Sequence, residues 1–382
     1  MRASATDEAA RVQALIGWFA THARVLPWRA RVGGAGWNGE PGSAARDPYA
    51  SLVSEFMLQQ TQVSRVVEFF PRFMARFPTV ADLAAAPEVE VMAAWAGLGY
   101  YRRARHLHAA AKRVVAEFGG RVPASVAELR TLPGVGRYTA GAIASIVFGV
   151  PEPALDGNVA RVLLRLKGED LVPDATETTA YLWEVAGRHV AAAVDFTPGG
   201  AGVWNEALME LGATVCVPPP AEPRCGDCPL AASCRARASG TQGQIPRPKA
   251  RAKVTRLNVA VIVIRDRQGR IRLEQRGEKG LWAGLWQPPT IEQARAIPES
   301  EVAALAAMRG GGAPQRVGGV GQFTHQLTHR LLAVKVYAAA AVACRVKAKA
   351  GTWADAGQLA SLGLSTMHHK AIESARTRVD RR

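Results

Sequence analysis

No stretch of the 382 residues approaches the roughly 18 uninterrupted apolar positions that a membrane-spanning helix requires, so no membrane partner is expected. The opening segment MRASATDEAARVQAL has no apolar core ahead of a cleavage site and carries Asp7 and Glu8 early. It reads as a helix start and not a signal peptide, and the expected location is cytoplasmic and nucleoid-associated. Cysteine is scarce, with five in the chain, and four of these fall in one segment. In a reducing compartment, clustered cysteines more often bind metal than form disulfides. Acidic residues are also few, 32 Asp and Glu against 48 Lys and Arg. The basic residues are spread along the chain, which points to an anionic polymer such as nucleic acid; an arginine-rich genome composition is the competing explanation. Repeats of fixed period are missing.

What is present divides by hydrophobic period. From about residue 7 to 215 helical patterns follow one another, beginning with a stripe of Val12, Leu15, Ile16 and Phe19. A Gly-rich run, residues 29–46, interrupts them as a surface loop, and Asp47-Pro48 then reads as an N-cap with proline at the first helical position. Residues 235–254, RARASGTQGQIPRPKARAKV, read as a linker. Beyond it LNVAVIVIRD, DRQG and RIRLEQR read as a β-hairpin, RLLAVKVYAAAAVA as a further strand, and HHKAIESAR as a short helix. The expectation is a multidomain chain: an all-α domain over 1–234, a linker over 235–254, and an α+β domain over 255–382. Cys344 falls in the last strand pattern and is expected to be a buried thiol.

Cys216, Cys225, Cys228 and Cys234 are spaced C-x8-C-x2-C-x5-C. Four thiolates this close in sequence can surround one metal centre, and spacing alone leaves zinc and an iron–sulfur cluster both open. The motif LPGVGRYTA, residues 132–140, places Gly134 and Gly136 between two helical patterns. Such a turn can aim backbone N–H groups and the positive end of the next helix at a DNA phosphate, with Arg137 adjacent. It is a helix-hairpin-helix signature, expected over about 125–149.

Two carboxylates are candidates for acid and anion. Glu55 lies in SEFMLQQTQV, where helical spacing groups it with Gln59 and Gln62, and its neighbours Phe56, Met57 and Leu58 favour desolvation and a raised pKa. Asp156, in LDGNVARVL, reads as a helix N-cap, a position that favours the ionised form. Two carboxyl groups pushed in opposite directions suit glycosidic bond cleavage. Sequence spacing does not show that they share a cleft.

In order along the chain, MLQQTQV, WAGLGYYRRARHLHAAA, LPGVGRYTAGAI, LDGNVARV and the four-cysteine loop resemble the helix-hairpin-helix DNA glycosylases with an iron–sulfur cluster, and within them the adenine DNA glycosylase branch. The resemblance covers nearly the whole chain. It implies that Glu55 protonates adenine, that Asp156 stabilises the oxocarbenium ion, and that Tyr138 and Asn158 position Asp156. Glu206 in WNEALMELG matches a further active-site carboxylate. Gln60 and Tyr100 match contacts beside the base opposite adenine. The four cysteines match ligands of a [4Fe-4S] cluster. The implied substrate is double-stranded DNA holding an A:8-oxoguanine or A:G mispair, and a monomer is expected.

The C-terminal part resembles the Nudix-like domain of the same family, in which Phe323, Thr324 and His325 match a lesion-touching Phe-Ser-His loop. Thr324 departs from that pattern but keeps the hydroxyl. No RExxEExG run follows GLWAGLWQPPT, so nucleotide pyrophosphatase activity is not expected. The gap between the first two cysteines is longer than the family's usual one. Tyr138 stands where the endonuclease III branch has the lysine that forms a Schiff base and cuts the strand, so the resemblance implies a monofunctional glycosylase. Two rival readings are an endonuclease III-like enzyme and a non-enzymatic iron–sulfur DNA-binding protein.

Overall fold

The computed structural model describes residues 5–29, 46–197, 199–249, 254–277, 279–312, 316–342 and 351–376. The Gly-rich residues 30–45 and Cys344 lie outside them. Two compact units emerge, one from Met1–Ala85 and His106–Ala250, the other from Ala86–Arg105 and Arg251–Arg382.

The first unit is helical. Its opening helix, Ala5–His22, buries Val12, Leu15, Ile16 and Phe19, the stripe expected from a 3.6-residue period. These pack with Leu163 and Leu164 of the Gly157–Lys167 helix, Leu182 and Val185 of Thr176–Phe196, and Trp204, Leu208 and Leu211 of Gly200–Thr214. The Val63–Arg76 helix buries Val66, Phe69, Phe70 and Phe73, while Arg65 and Arg72 each stand 4.6 Å from the Phe69 ring centroid.

Most of the expected linker belongs to this unit. Arg235–Ala238 forms a helical turn, and Ala236 and Ile245 are buried in the helical core. The backbone N–H of Arg247 donates to Leu171 O at 3.1 Å, and its guanidinium pairs with Asp170 at 2.8 Å. Two apolar anchors suffice to hold a polar, proline-rich stretch that composition alone marks as free.

The second unit is a mixed sheet of β1 (Thr255–Arg265), β2 (Ile271–Gln275), β3 (Trp286–Gln287), β4 (Thr290–Gln293), β5 (Val317–Gln326), β6 (Arg330–Ala340) and β7 (Gly351–Ala354). The order is β3-β2-β1-β6-β5, with β4 on β1 and β7 on β2. The β1–β2 hairpin is present, its turn closed by Asp266 Oδ1, which accepts from Gln268 N at 3.0 Å and Arg270 N at 2.8 Å. β1 and β6 run parallel from Thr255↔Arg330 to Arg265↔Ala340. Val259, Val261 and Val263 face Met367, Ala371 and Ile372 of the Thr366–Arg376 helix; Ala260, Ile262 and Ile264 face Val302 and Ala306 of Glu299–Gly310. Covering both faces explains why this strand reads as a continuous apolar run without alternation. Residues 86–105 join this unit, tied by the Tyr101 hydroxyl donating to Leu364 O at 3.0 Å.

Candidate active site

The Pro48–Leu58 helix starts where its sequence dictates, with Asp47 Oδ1 accepting from Tyr49 N at 2.8 Å and Pro48 at the first position. It ends sooner than expected. Leu58 is its last residue, Gln60 has a φ of +56°, and Gln62 opens the next helix, so Glu55, Gln59 and Gln62 are not a stripe on one helix. The turn instead brings the glutamines to the cleft that holds Glu55. This cleft, about 720 Å³ in volume, gathers Glu55, Gln60, Tyr138, Asp156, Asn158 and Glu206 from four separate parts of the helical unit.

Glu55 Oε2 is shut away from solvent and accepts no hydrogen bond. Burial pushes its pKa up to about 7; the Tyr138 hydroxyl pulls it down in part, and the charges of Asp156 and Glu206 raise it further. The same hydroxyl donates to Met209 Sδ at 3.3 Å, so Tyr138 stands between the carboxyl and the thioether. Burial raises the Tyr138 phenol well above its ordinary value, which keeps its proton in place.

Asp156 caps the Gly157–Lys167 helix, with Oδ1 accepting from Val159 N at 2.7 Å and Oδ2 accepting from Asn158 Nδ2 at 3.0 Å. The expectation that the cap leaves it more acidic than usual does not hold. Burial outweighs the hydrogen bonds of Val159 and Asn158 and the charge of Arg161, and the pKa is raised. The two carboxyl groups therefore differ in their partners and not in the direction of their shifts: Asp156 is met by donors on both oxygens, while Glu55 has one bare buried oxygen.

Glu206 is bound into a charge network that the sequence reading missed. Its Oε1 accepts from Arg29 Nε at 3.2 Å and from Arg46 Nη1 at 2.7 Å, and its Oε2 accepts from Arg46 Nη2 at 2.6 Å. One helical turn on, Glu210 accepts from Arg24 Nε at 2.6 Å and from Arg29 Nη2 at 3.0 Å. The available signal was the four-residue spacing of Glu206 and Glu210 on one helix face, which needs cations from elsewhere once buried.

Asn158 links the cleft to the cysteine loop. Its Oδ1 accepts from Arg161 Nη2 at 2.8 Å, and Arg161 Nε donates to Cys216 O at 2.8 Å. Arg165 Nη1, one turn further, donates to Cys216 Sγ at 3.2 Å. Cys216, Cys225, Cys228 and Cys234 line one small cavity with Arg165, Arg224 and Arg237. Burial pushes the Cys228 thiol up to about 11 and raises Cys225 too, with the neighbouring thiolates adding to both. Four sulfur donors around one cavity are a set suited to a thiolate-ligated metal centre. Among the described residues no three His, Cys, Asp or Glu side chains are close enough together to hold a single ion.

The hairpin motif forms between the Val126–Leu129 and Arg137–Phe148 helices. Gly134 has a φ of +80°, and a Cβ there would stand 2.7 Å from His106 Cβ and 2.8 Å from Phe56 Cε1, so only glycine fits. Gly136 is the N-cap of the second helix and offers no side chain to its first-turn N–H groups, leaving them for an anion. Arg137 lies 3.9 Å from the Trp183 ring centroid.

The region 53–188 matches the HhH-GPD superfamily of base excision DNA repair proteins, and 260–374 matches the NUDIX domain. The chain is 35% identical over 373 residues to an adenine DNA glycosylase of Rattus norvegicus, covering 85% of this chain and 69% of that protein. The chain belongs to the adenine DNA glycosylase family. An adenine DNA glycosylase of Mycolicibacterium smegmatis is 42% identical over 226 residues, covering 59% of this chain and 69% of the relative. A solved thermostable thymine-DNA glycosylase superposes with a TM-score of 0.51 at 27% identity, covering 62% of this chain and 100% of its own. The chain spans about two thirds of its mammalian relatives, 69% of the rat protein and 65% of the human one.

The remaining candidate residues of this adenine DNA glycosylase family member lie in the second unit. Phe323, Thr324 and His325 are on β5, where Lys370 Nζ stands 4.5 Å from the Phe323 ring centroid and Thr324 is exposed. Burial and the charge of Lys370 lower the His325 pKa. Trp282, which the sequence reading passed over, has a φ of +55° and lies 6.1 Å from the His325 ring and 5.2 Å from the buried His368 ring. Tyr100 follows Gly99 in a turn with a φ of +49°. Arg103 and Arg105 turn inward: Arg103 donates to Gly99 O at 3.1 Å, and Arg105 donates to Ala283 O.

Proposed function

We propose that this chain is a monofunctional DNA glycosylase that hydrolyses the N-glycosidic bond of adenine opposite 8-oxoguanine, and of adenine opposite guanine. One observation carries the reading: Glu55, with a pKa near 7, shares a cleft with the donor-held Asp156. A substrate adenine must leave the base stack to reach this cleft. Glu55 gives its proton to the departing base, which would otherwise leave as an anion. The Asp156 carboxylate, held by Val159 N and the Asn158 amide, stabilises positive charge developing at the sugar, and water completes the hydrolysis. Tyr138 occupies the position of a Schiff-base lysine and keeps its own proton, so no amine is available there for strand cleavage.

Glu206, neutralised by Arg29 and Arg46, fixes the cleft wall and the approach of water. The hairpin N–H groups and Arg137 take a DNA phosphate, and Gln60, Tyr100, Phe323, Thr324 and His325 contact the base opposite adenine. Cys216, Cys225, Cys228 and Cys234 would hold a [4Fe-4S] cluster, whose part is to fold and fix the loop. The proposed working form is a monomer on duplex DNA in the nucleoid-associated cytoplasm.

The test is single-turnover base release from duplexes carrying A opposite 8-oxoguanine, A:G, A:T or thymine glycol, with and without alkali. Adenine release with strand scission only after alkali supports the reading. Alkali-independent cutting of the thymine-glycol duplex would establish strand-cleaving activity instead.

A further inference from the structure

Tyr100 exposes 47% of its surface, yet its ring is held from several directions. Its backbone sits in the left-handed region, which is unfavourable for a residue with a Cβ and persists only where neighbours enforce it. The turn beneath is pinned at Gly99 O, which accepts from Trp95 Nε1 and from Arg103 Nη2, each at 3.1 Å. The Arg103 guanidinium lies 5.4 Å from the Trp95 and Tyr100 ring centroids alike. At the far end of the ring, the Tyr100 hydroxyl is 3.0 Å from Thr328 Oγ1.

Thr328 stands in the tight turn from β5 to β6, closed by Leu327 N donating to Arg330 O at 2.8 Å. It therefore rides on the end of the strand that carries Phe323, Thr324 and His325. Two exposed hydroxyls gain little from meeting each other, because water replaces either partner at similar free energy. What the bond does is remove rotational freedom from an exposed aromatic ring and fix its tip to β5.

We propose that Thr328 is a positioning residue for Tyr100, coupling the ring that inserts beside the opposing base to the strand that reads that base. The preference for 8-oxoguanine over guanine opposite adenine then depends on the pair and not on either side chain alone. This rests on the proposed reading of Tyr100 and 323–325 as contacts to the opposing base.

The experiment measures single-turnover adenine release over a range of enzyme concentration, on A:8-oxoguanine and A:G duplexes. The proteins are the parent, Tyr100→Phe, Thr328→Val, Thr328→Ser, the Tyr100→Phe/Thr328→Val double variant and Tyr100→Ala. Tyr100→Phe and Thr328→Val are each expected to raise the half-saturating concentration on the A:8-oxoguanine duplex about fivefold, with a smaller change on A:G. The double variant should be no weaker than either single one, and Thr328→Ser should retain the parent's preference. Losses that multiply in the double variant, equal losses on both duplexes, or a parent-like Thr328→Val would overturn the proposal. A parent-like Tyr100→Ala would remove the insertion role and the Thr328 role with it. A large loss in Tyr100→Ala beside a parent-like Thr328→Val would remove the coupling alone.

Discussion

The side-chain amide of Asn158 is fixed at both ends: Nδ2 donates to Asp156 Oδ2 at 3.0 Å, and Oδ1 accepts from Arg161 Nη2 at 2.8 Å. The second bond sets the orientation of the amide, so that its N–H group and not its oxygen faces the carboxylate. A buried Asp156 is thereby given a donor that the backbone cap does not supply.

Asp156→Asn separates the chemical role of this carboxylate from its structural one. Asparagine caps a helix about as well as aspartate, so the fold should persist. Adenine release is expected to fall on the order of 100- to 1000-fold, because the charge proposed to stabilise the sugar is gone. Thermal melting beside single-turnover kinetics checks both halves, and near-parent release would refute the assignment.

As the proposed acid, Glu55 must be protonated to act, so release should decline as pH rises through about 7. On the acid side it should fall as Asp156 takes up a proton. The Asp156 charge helps raise Glu55, so the two apparent values belong to the pair. Glu55→Gln should lose on the order of 100- to 10,000-fold in rate. A profile still rising well above neutrality would argue against Glu55 as the acid.

The same raised pKa has a consequence for stability. The folded state holds Glu55 neutral over a range where the unfolded chain ionises it, so stability is fullest below the ordinary Glu value of 4.5 and is lost as pH climbs to about 7. Glu55→Gln removes that loss. Its melting temperature relative to the parent should increase across this window and level off above it; a pH-independent difference would contradict the burial argument.

Gly134→Ala should both destabilise the helical unit and weaken DNA binding, since the added Cβ meets His106 and Phe56 and the φ is unfavourable. A cost of about 1–3 kcal/mol is expected. Gly136→Ala meets nothing within 4 Å and should melt near the parent temperature. Melting curves and affinity for undamaged duplex at fixed salt distinguish the two.

Cys228→Ala should lower the iron and sulfide content of the purified protein and the stability of the helical unit, as loss of one ligand from a metal-stapled loop does. Iron analysis and melting are the readouts. Unchanged iron content would show that Cys228 is not a ligand.

What the sequence determined by itself is local. The caps at Asp47 and Asp156, the apolar stripe from Val12 to Phe19, the hairpin glycines and the β1–β2 hairpin each follow from propensities and periods within a few residues. The cysteine cluster and the candidate acid and anion were legible as residue types at telling spacings. Tertiary structure decided the rest. Glu55 reaches about 7 because segments far along the chain exclude water from it, and the same exclusion raises Asp156 where its cap position predicted the reverse. Arg29 meets Glu206 across 177 residues of sequence, β1 pairs in parallel with β6, and residues 86–105 join the sheet-containing unit. A local pattern specifies which groups a segment carries; the solvation and partners of those groups depend on which distant segments close over them.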